Sequence, residues 1–268
     1  MEAAGIIDSL EEAGELLGYL LKCSKEQLYR RPERELSHEE LIAFQKLIER
    51  RLAHEPLAYI VRKQRFFGLD FYVDSRVLIP RSATEVLVNK VLEAAKHRLY
   101  RDCRIAEIGT GCGAVAISLA LYIPKAKIYA TDVSLAALEV ARNNCERHKV
   151  SKRIHLLHGD MLSPLLERVD ILVANLPYVK DSDIEQLNPE IGFEPVLALA
   201  GGEDGLDKVR SLLTQAEEKL RPNGSILLEI GGGGLKQATE LAKDYFPKVT
   251  LDVMADIDGV GGIITIGN

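Results

Sequence analysis

Arg104-Ile105-Ala106-Glu107-Ile108-Gly109-Thr110-Gly111-Cys112-Gly113 carries a short apolar strand into three spaced glycines, and residues 114–121 continue as an apolar helix. Glycines at a strand-to-helix turn let the backbone approach a ligand and adopt dihedrals closed to other residues. The spacing is GxGxG, not the GxGxxG that seats a pyrophosphate on a helix N-terminus. A nucleoside without phosphate suits it better. Asp132 closes the next apolar run, 127–131, where a carboxylate can accept from both hydroxyls of a ribose. His158-Gly159-Asp160-Met161 follows a third strand. Asp160 could accept from an adenine amino group with Met161 against the ring, or the segment could be a plain surface turn.

Working outward, strands and helices alternate. Expected strands are 104–108, 127–131, 153–157, 169–174 and 225–230. Helices are expected from Ser82 with Glu85, over 114–121, from about 133 to His148, and over 205–220, the last stopped by Arg221-Pro222-Asn223-Gly224. This order implies an α/β fold with a mostly parallel sheet covered on both faces. Residues 249–253 and 262–266 are too close for a crossover helix and should pair antiparallel at an edge.

The region before residue 62 reads differently. Ile6, Ile7, Leu10, Leu17, Leu20 and Leu21 recur at helical spacing, and Ser24/Gln27 and Ser37/Glu40 fit the reciprocal capping box. Pro56 should stop the second capped helix. Phe66-Phe67-Gly68-Leu69-Asp70-Phe71-Tyr72-Val73-Asp74 reads as a β-hairpin turning near Gly68-Leu69-Asp70. The expected organisation is therefore a helical domain over 1–61, a hairpin bridge over 62–80 and an α/β domain over 81–268. Arg30, Arg31, Arg34, Arg50, Arg51, Arg62, Lys63 and Arg65 make the first part locally basic, which reads as a solvated face.

The 268 residues carry a net charge of −6. A nonspecific nucleic-acid binder usually has a positive excess, so direct nucleic-acid binding is not expected. Cys23, Cys103, Cys112 and Cys145 form no ligand or disulfide pattern, and the six histidines show no metal spacing. Glu2, Asp8, Glu11 and Glu12 interrupt any apolar leader, and no run approaches a membrane span. A cytoplasmic monomer is the expectation.

Asn175-Leu176-Pro177-Tyr178 stands directly after the fourth apolar strand. Ligands of open α/β sheets lie beyond the C-terminal strand ends, so this tetrapeptide should face the glycine loop's ligand. A planar amide or amino nitrogen is a poor nucleophile with two N–H donors. Asn175 Oδ1 and the Leu176 carbonyl can accept one each, orienting the nitrogen toward an electrophilic methyl. Both also favour the positive charge that develops on nitrogen. Tyr178 would wall the planar group. A strand-end turn is the structural alternative. Residues 179–204 show no period, as a lid or binding loop would.

These stretches, with Glu55-Pro56-Leu57-Ala58-Tyr59-Ile60, Val77-Leu78-Ile79-Pro80-Arg81, Glu194-Pro195 and Gly201-Gly202-Glu203-Asp204-Gly205-Leu206, resemble the protein-(glutamine-N5) methyltransferases of class-I peptide chain release factors, the HemK/PrmC family. The resemblance implies a seven-stranded Rossmann-like methyltransferase sheet with a small N-terminal helical domain and a hairpin bridge. It implies S-adenosylmethionine as cofactor, bound by Gly109, Thr110, Gly111, Cys112, Gly113, Asp132, Asp160, Met161 and Asn175. It implies a release-factor partner whose Gly-Gly-Gln glutamine is held by Asn175, Leu176, Pro177 and Tyr178. The family pattern has Asn-Pro-Pro-Tyr where Leu176 stands here, and Pro-Glu-Thr-Glu where this chain has Ser82-Ala83-Thr84-Glu85. Leu176 keeps a backbone carbonyl but lacks the fixed φ of proline. Two other readings are an adenine-N6 methyltransferase, which uses a similar site, and a non-catalytic cofactor-binding module.

Overall fold

The computed structural model describes residues 6, 8–30, 32–96, 102–231, 233–255 and 261–267. Four helices come first: α1 (Ser9–Leu21), α2 (Lys25–Tyr29), α3 (His38–Leu52) and α4 (Leu57–Ile60). Both capping boxes form as the sequence predicts, with Ser24 and Gln27, then Ser37 and Glu40, exchanging side-chain and backbone bonds. Each such cap stabilises its helix by about 1 kcal/mol. The α3 helix ends at Leu52, before Pro56, which instead leads into α4. Leu16 carries the buried stripe of α1 while Leu10 points outward; Ile7 lies outside the described residues.

Arg51 departs from the expected solvated face. It is 4% exposed, and its guanidinium pairs with Glu12 of α1 and with Glu190 far along the chain, each at 2.6 Å. Two carboxylates compensate a charge that would be costly to bury alone. The neighbouring cations Arg50, Arg62 and Lys63 also pair, with Glu55, Asp74 and Asp70.

The segment expected to be the bridge contains a hairpin of β1 (Gln64–Phe66) and β2 (Leu69–Phe71). Its turn is Phe67-Gly68, one residue earlier than expected, with Phe66 opposite Leu69. Both turn residues have positive φ, 51° and 75°, as a two-residue turn between twisted strands requires. Phe66 and Phe71 bury their rings edge to face beneath it. The next helix, α5 (Thr84–Ala95), has no side-chain N-cap. The helix starts at Thr84, two residues after Ser82, and Glu85 Oε1 accepts from Phe67 N in the hairpin turn at 2.8 Å. Asn144, fully buried, also holds the bridge. Its carboxamide exchanges bonds with the Tyr72 backbone and donates to the carbonyl of Cys112.

Beyond the bridge runs one seven-stranded sheet. Its strands are β3 (Arg104–Ile108), β4 (Lys127–Asp132), β5 (Ile154–His158), β6 (Val169–Asn175), β7 (Leu220–Ile230), β8 (Leu251–Ala255) and β9 (Gly262–Ile266), in the order β5-β4-β3-β6-β7-β9-β8. Pairing is parallel from β5 across to β7, and β9 is antiparallel to both neighbours. The expected antiparallel pair at the edge is present, but β9 is inserted between β7 and β8. The β7 strand starts at Leu220, so Arg221-Pro222-Asn223-Gly224 is not a turn before the strand. It is accommodated as an irregularity within β7 opposite the stretch between Val169 and Ile171.

Alternate strand residues serve two cores. Ile105, Ile128, Ile171 and Leu227 pack with α5, α6 (Ala114–Tyr122) and α7 (Leu135–Arg147). Ala106, Leu172, Ile226 and Ile264 pack with α8 (Asp207–Lys219) and α9 (Leu235–Tyr245) on the opposite face. The chain leaves β3 toward β4 and β5, then returns to β6 on the other flank of β3. That reversal opens a crevice at the C-terminal ends of β3 and β6.

Residues 179–204 are more ordered than their lack of period suggests. Three 3-10 turns span Asp181–Gln186, Ile191–Phe193 and Val196–Ala198. The segment returns to its own start, Val179 N donating to Leu199 O and Gly201 N to Val179 O. No described helix is long and apolar enough to cross a membrane.

Candidate active site

The crevice between β3 and β6 holds a cleft open to solvent, enclosing about 130 Å³. Gly109, Gly111, Asp132, Asp160, Met161, Asn175, Leu176 and Pro177 all line it. Thr110, Cys112 and Gly113 do not line the cleft; they build the loop behind it. Thr110 Oγ1 donates to Glu107 Oε2 at 2.6 Å, and Ala116 N donates to the same oxygen at 3.0 Å. The Cys112 carbonyl takes the Asn144 bond, and Gly113 caps α6.

Gly109, Gly111 and Gly113 all have positive φ. At Gly111 an added methyl would meet nothing within 4 Å, so its open face leaves the cleft clear for a close-lying ligand. Asp132 Oδ2 accepts from Gly111 N at 2.9 Å and Oδ1 from Ser134 N at 2.8 Å. Each oxygen keeps a lone pair that a ribose hydroxyl can use. Burial raises the Asp132 carboxyl above its ordinary value, opposed by those two amides. Met161 holds φ of 46° while its carbonyl accepts from Thr131 Oγ1 at 3.0 Å, fixing the loop after β5 to the end of β4. A glycine cradle, a carboxylate at the end of β4 and an apolar side chain beyond it suit the loop end, ribose and base of a nucleoside, so the residues present fit S-adenosylmethionine.

Asn175 closes β6 and donates from Nδ2 to Thr84 Oγ1 at 3.0 Å. Asn175 lines the same cleft as Gly111. Leu176, in the position where the family pattern has proline, is 5% exposed and packs beneath the glycine loop, with Cδ2 3.6 Å from where a Gly109 methyl would stand. Burial of the isobutyl group thus restrains the segment in place of a proline ring.

Tyr178 does not line the main cleft. It borders a smaller cavity with Gly205, Leu206 and Gly234. Its ring lies against Gly231, where an added methyl would fall 2.5 Å from Cζ. Burial raises the Tyr178 phenol. Under this flank Arg81 pairs at 2.6 Å with Glu194, whose carboxylate is 1% exposed and raised by burial.

Arg76, Leu197 and Lys208 also line the cleft, yet each stands alone in the sequence without a motif. Thr84 falls in the stretch compared with the family's Pro-Glu-Thr-Glu, but its meeting with Glu229 beside Asn175 is silent in sequence, since 145 positions separate the two. Their one local signal is a glutamate at the end of an otherwise apolar strand. Among the described residues no cluster could hold a metal, and the four cysteines are free thiols.

Two family models match, the PrmC N-terminal domain over residues 1–61 and the methyltransferase small domain over residues 81–190. The release factor glutamine methyltransferase of Moorella thermoacetica is 43% identical over 244 residues, covering 91% of this chain and 86% of that protein. The chain belongs to the release factor glutamine methyltransferase family. A bifunctional methyltransferase of Rickettsia felis is 37% identical over 254 residues, 85% of this chain. The match spans 48% of that relative, about half its length. Among solved structures, the hMettl16 catalytic domain in complex with the MAT2A 3′UTR hairpin 6 superposes with a TM-score of 0.61 at 17% identity, covering 75% of this chain and 76% of that one. At that identity the likeness speaks for the sheet architecture alone.

Proposed function

We propose that this protein methylates the side-chain amide nitrogen of the glutamine in the Gly-Gly-Gln motif of class-I peptide chain release factors, using S-adenosylmethionine. One observation carries the reading: Asn175, Asp132 and Gly111 line a single cleft at the sheet's switch point. When bound, S-adenosylmethionine supplies an electrophilic sulfonium methyl.

The chain's own residues would do the rest. Gly109, Thr110, Gly111, Cys112 and Gly113 form the cradle, Asp132 holds the ribose, and Asp160 with Met161 holds the adenine. Asn175 Oδ1 and the Leu176 carbonyl accept one N–H each from the glutamine amide. Among the described residues neither oxygen is occupied by another donor. Clamping both hydrogens directs the nitrogen lone pair at the methyl, and such alignment can remove up to roughly 7–11 kcal/mol of barrier. It also stabilises positive charge as it forms on nitrogen, so no base need act beforehand; the carbon–sulfur bond would break to leave a neutral thioether, and one N–H proton would then pass to water. Pro177 would wall the amide plane from within the cleft, while Tyr178, expected to share that role, borders the adjoining cavity. Residues 1–61 would recognise the protein substrate, 62–80 join the parts, and 81–268 perform the transfer. The enzyme would act as a cytoplasmic monomer, without direct nucleic-acid contact.

Incubation with methyl-labelled cofactor and a release factor, followed by mass spectrometry of the digested factor, should place one methyl on that glutamine. Asn175→Ala should lower the rate about 10²–10³-fold, as removal of one transition-state hydrogen-bonding group does elsewhere. Persistent labelling in that variant, or methylated adenine as the product, would overturn the assignment.

A further inference from the structure

Three side chains from distant segments meet behind the amide clamp. Glu229 stands beside Asn175 in the parallel register of β6 and β7, and Thr84 opens α5 above both. Thr84 Oγ1 donates to Glu229 Oε1 at 3.1 Å, and Asn175 Nδ2 donates to the same Oγ1 at 3.0 Å. A hydroxyl has one proton. Spent on the carboxylate, it leaves Thr84 only lone pairs for its other neighbour, so Thr84 can face only the NH2 end of the carboxamide. Oδ1 is then the end left for the cleft.

Resting on the function proposed above, we propose that Thr84 and Glu229 are positioning residues that fix the flip of the Asn175 carboxamide, so that an acceptor and not a donor meets the substrate amide. The alternative flip differs by a half-turn about a broad terminal torsion with little intrinsic preference. In that flip Nδ2 would face the substrate NH2, donor against donor, and the clamp would lose one of its two oxygens.

Burial argues for the same role. Thr84 is 6% exposed, and Glu229 Oε2 is buried without a hydrogen-bond partner among the described residues. A half-satisfied carboxylate is costly inside a protein, and an apolar residue at that point of β7 would pack without the cost. Burial pushes the Glu229 carboxyl up to about 7. A proton taken up there has the free Oε2 to occupy, which leaves Oε1 accepting from Thr84 in either state.

The test uses the full chain with Thr84→Val, which keeps the shape and removes the hydroxyl, Thr84→Ser, which restores it, and Glu229→Met, which removes the acceptor. In steady-state methylation of a release factor, Thr84→Val and Glu229→Met should each lower kcat at least tenfold with KM for the factor within threefold. Thr84→Ser should recover most of the loss. Independently of turnover, the Asn175 side-chain NH2 signal in ¹⁵N spectra should be protected from exchange in the parent and Thr84→Ser, and unprotected in Thr84→Val. If Thr84→Val does not fold, Glu229→Met carries the kinetic comparison. A kcat within twofold of the parent in the folded variant, or equal NH2 protection in the parent and Thr84→Val, overturns the proposal. A parent that methylates no release factor while the NH2 pattern holds would defeat the functional reading and leave the flip assignment standing.

Discussion

Replacing Glu107 with glutamine would remove a titration while keeping a hydrogen-bond acceptor. Glu107 lies in β3 behind the glycine loop, and burial, reinforced by nearby Asp132, pushes its carboxyl from the ordinary 4.5 up to about 8. The bonds from Thr110 and Ala116 oppose this and do not win. Because the folded value is raised, the native chain keeps a proton that the unfolded chain releases once pH exceeds about 4.5. The unfolded state then binds fewer protons, so stability falls with rising pH until about 8. At about 1.4 kcal/mol per pH unit, that interval sets an upper bound of about 5 kcal/mol. Glutamine mimics the protonated acid and presents the same carbonyl to Thr110 and Ala116. Glu107→Gln should therefore match the parent near pH 5 and exceed it by several kcal/mol near pH 8. Urea unfolding of both proteins at pH steps between 5 and 8.5 measures the difference, in which other titrating groups largely cancel. A difference that stays flat to within about 1 kcal/mol would show that Glu107 is ionised in the fold. The point bears on the proposed site, since a neutral Glu107 leaves Asp132 as the carboxylate lining the cleft.

Two further substitutions probe the flanks of the site. Gly231→Ala places a methyl 2.5 Å from the Tyr178 ring, so kcat should drop by up to about 10²-fold if moving that ring shifts the Asn175–Tyr178 segment. Cofactor affinity should hold, because Gly231 does not line the main cleft; unchanged turnover would show that the ring position is immaterial. Arg51→Met strands Glu12 and Glu190, which are 18% and 37% exposed and can partly turn to water. Destabilisation by about 2–3 kcal/mol is expected in urea, together with faster amide exchange around Glu190. An unmoved midpoint would reduce this triad to a surface contact.

What the sequence disclosed follows from locality. The strand and helix alternation, both capping boxes and the placement of Gly111, Asp132 and Asn175 at strand ends depend on residues a few positions apart. The errors came where a distant partner intervened. Glu85 looks like a helix-capping residue until its carboxylate is claimed by the hairpin turn at Phe67. Phe67 itself hides the turn, because a bulky aromatic is not a residue expected at positive φ. Arg221-Pro222-Asn223-Gly224 has turn chemistry but sits within β7, where pairing to β6 on either side outweighs local preference. The insertion of β9 between β7 and β8 is a matter of topology that spacing alone does not encode. The meeting of Thr84, Asn175 and Glu229 was invisible for the same reason: Asn175 stood out in its motif, but nothing local ties it to Thr84 or to Glu229.

The glycine loop and Asn175 end strands that are direct neighbours, with Ile108 opposite Ala174. Adjacent strands lie about 4.8 Å apart, a spacing dictated by main-chain hydrogen bonds. The sheet therefore serves as a ruler, setting the gap between donor and acceptor groups with a part of the protein that side-chain drift scarcely alters. Whatever decorates the rim can be exchanged to suit a new client molecule, and the gauge of the transfer stays the same.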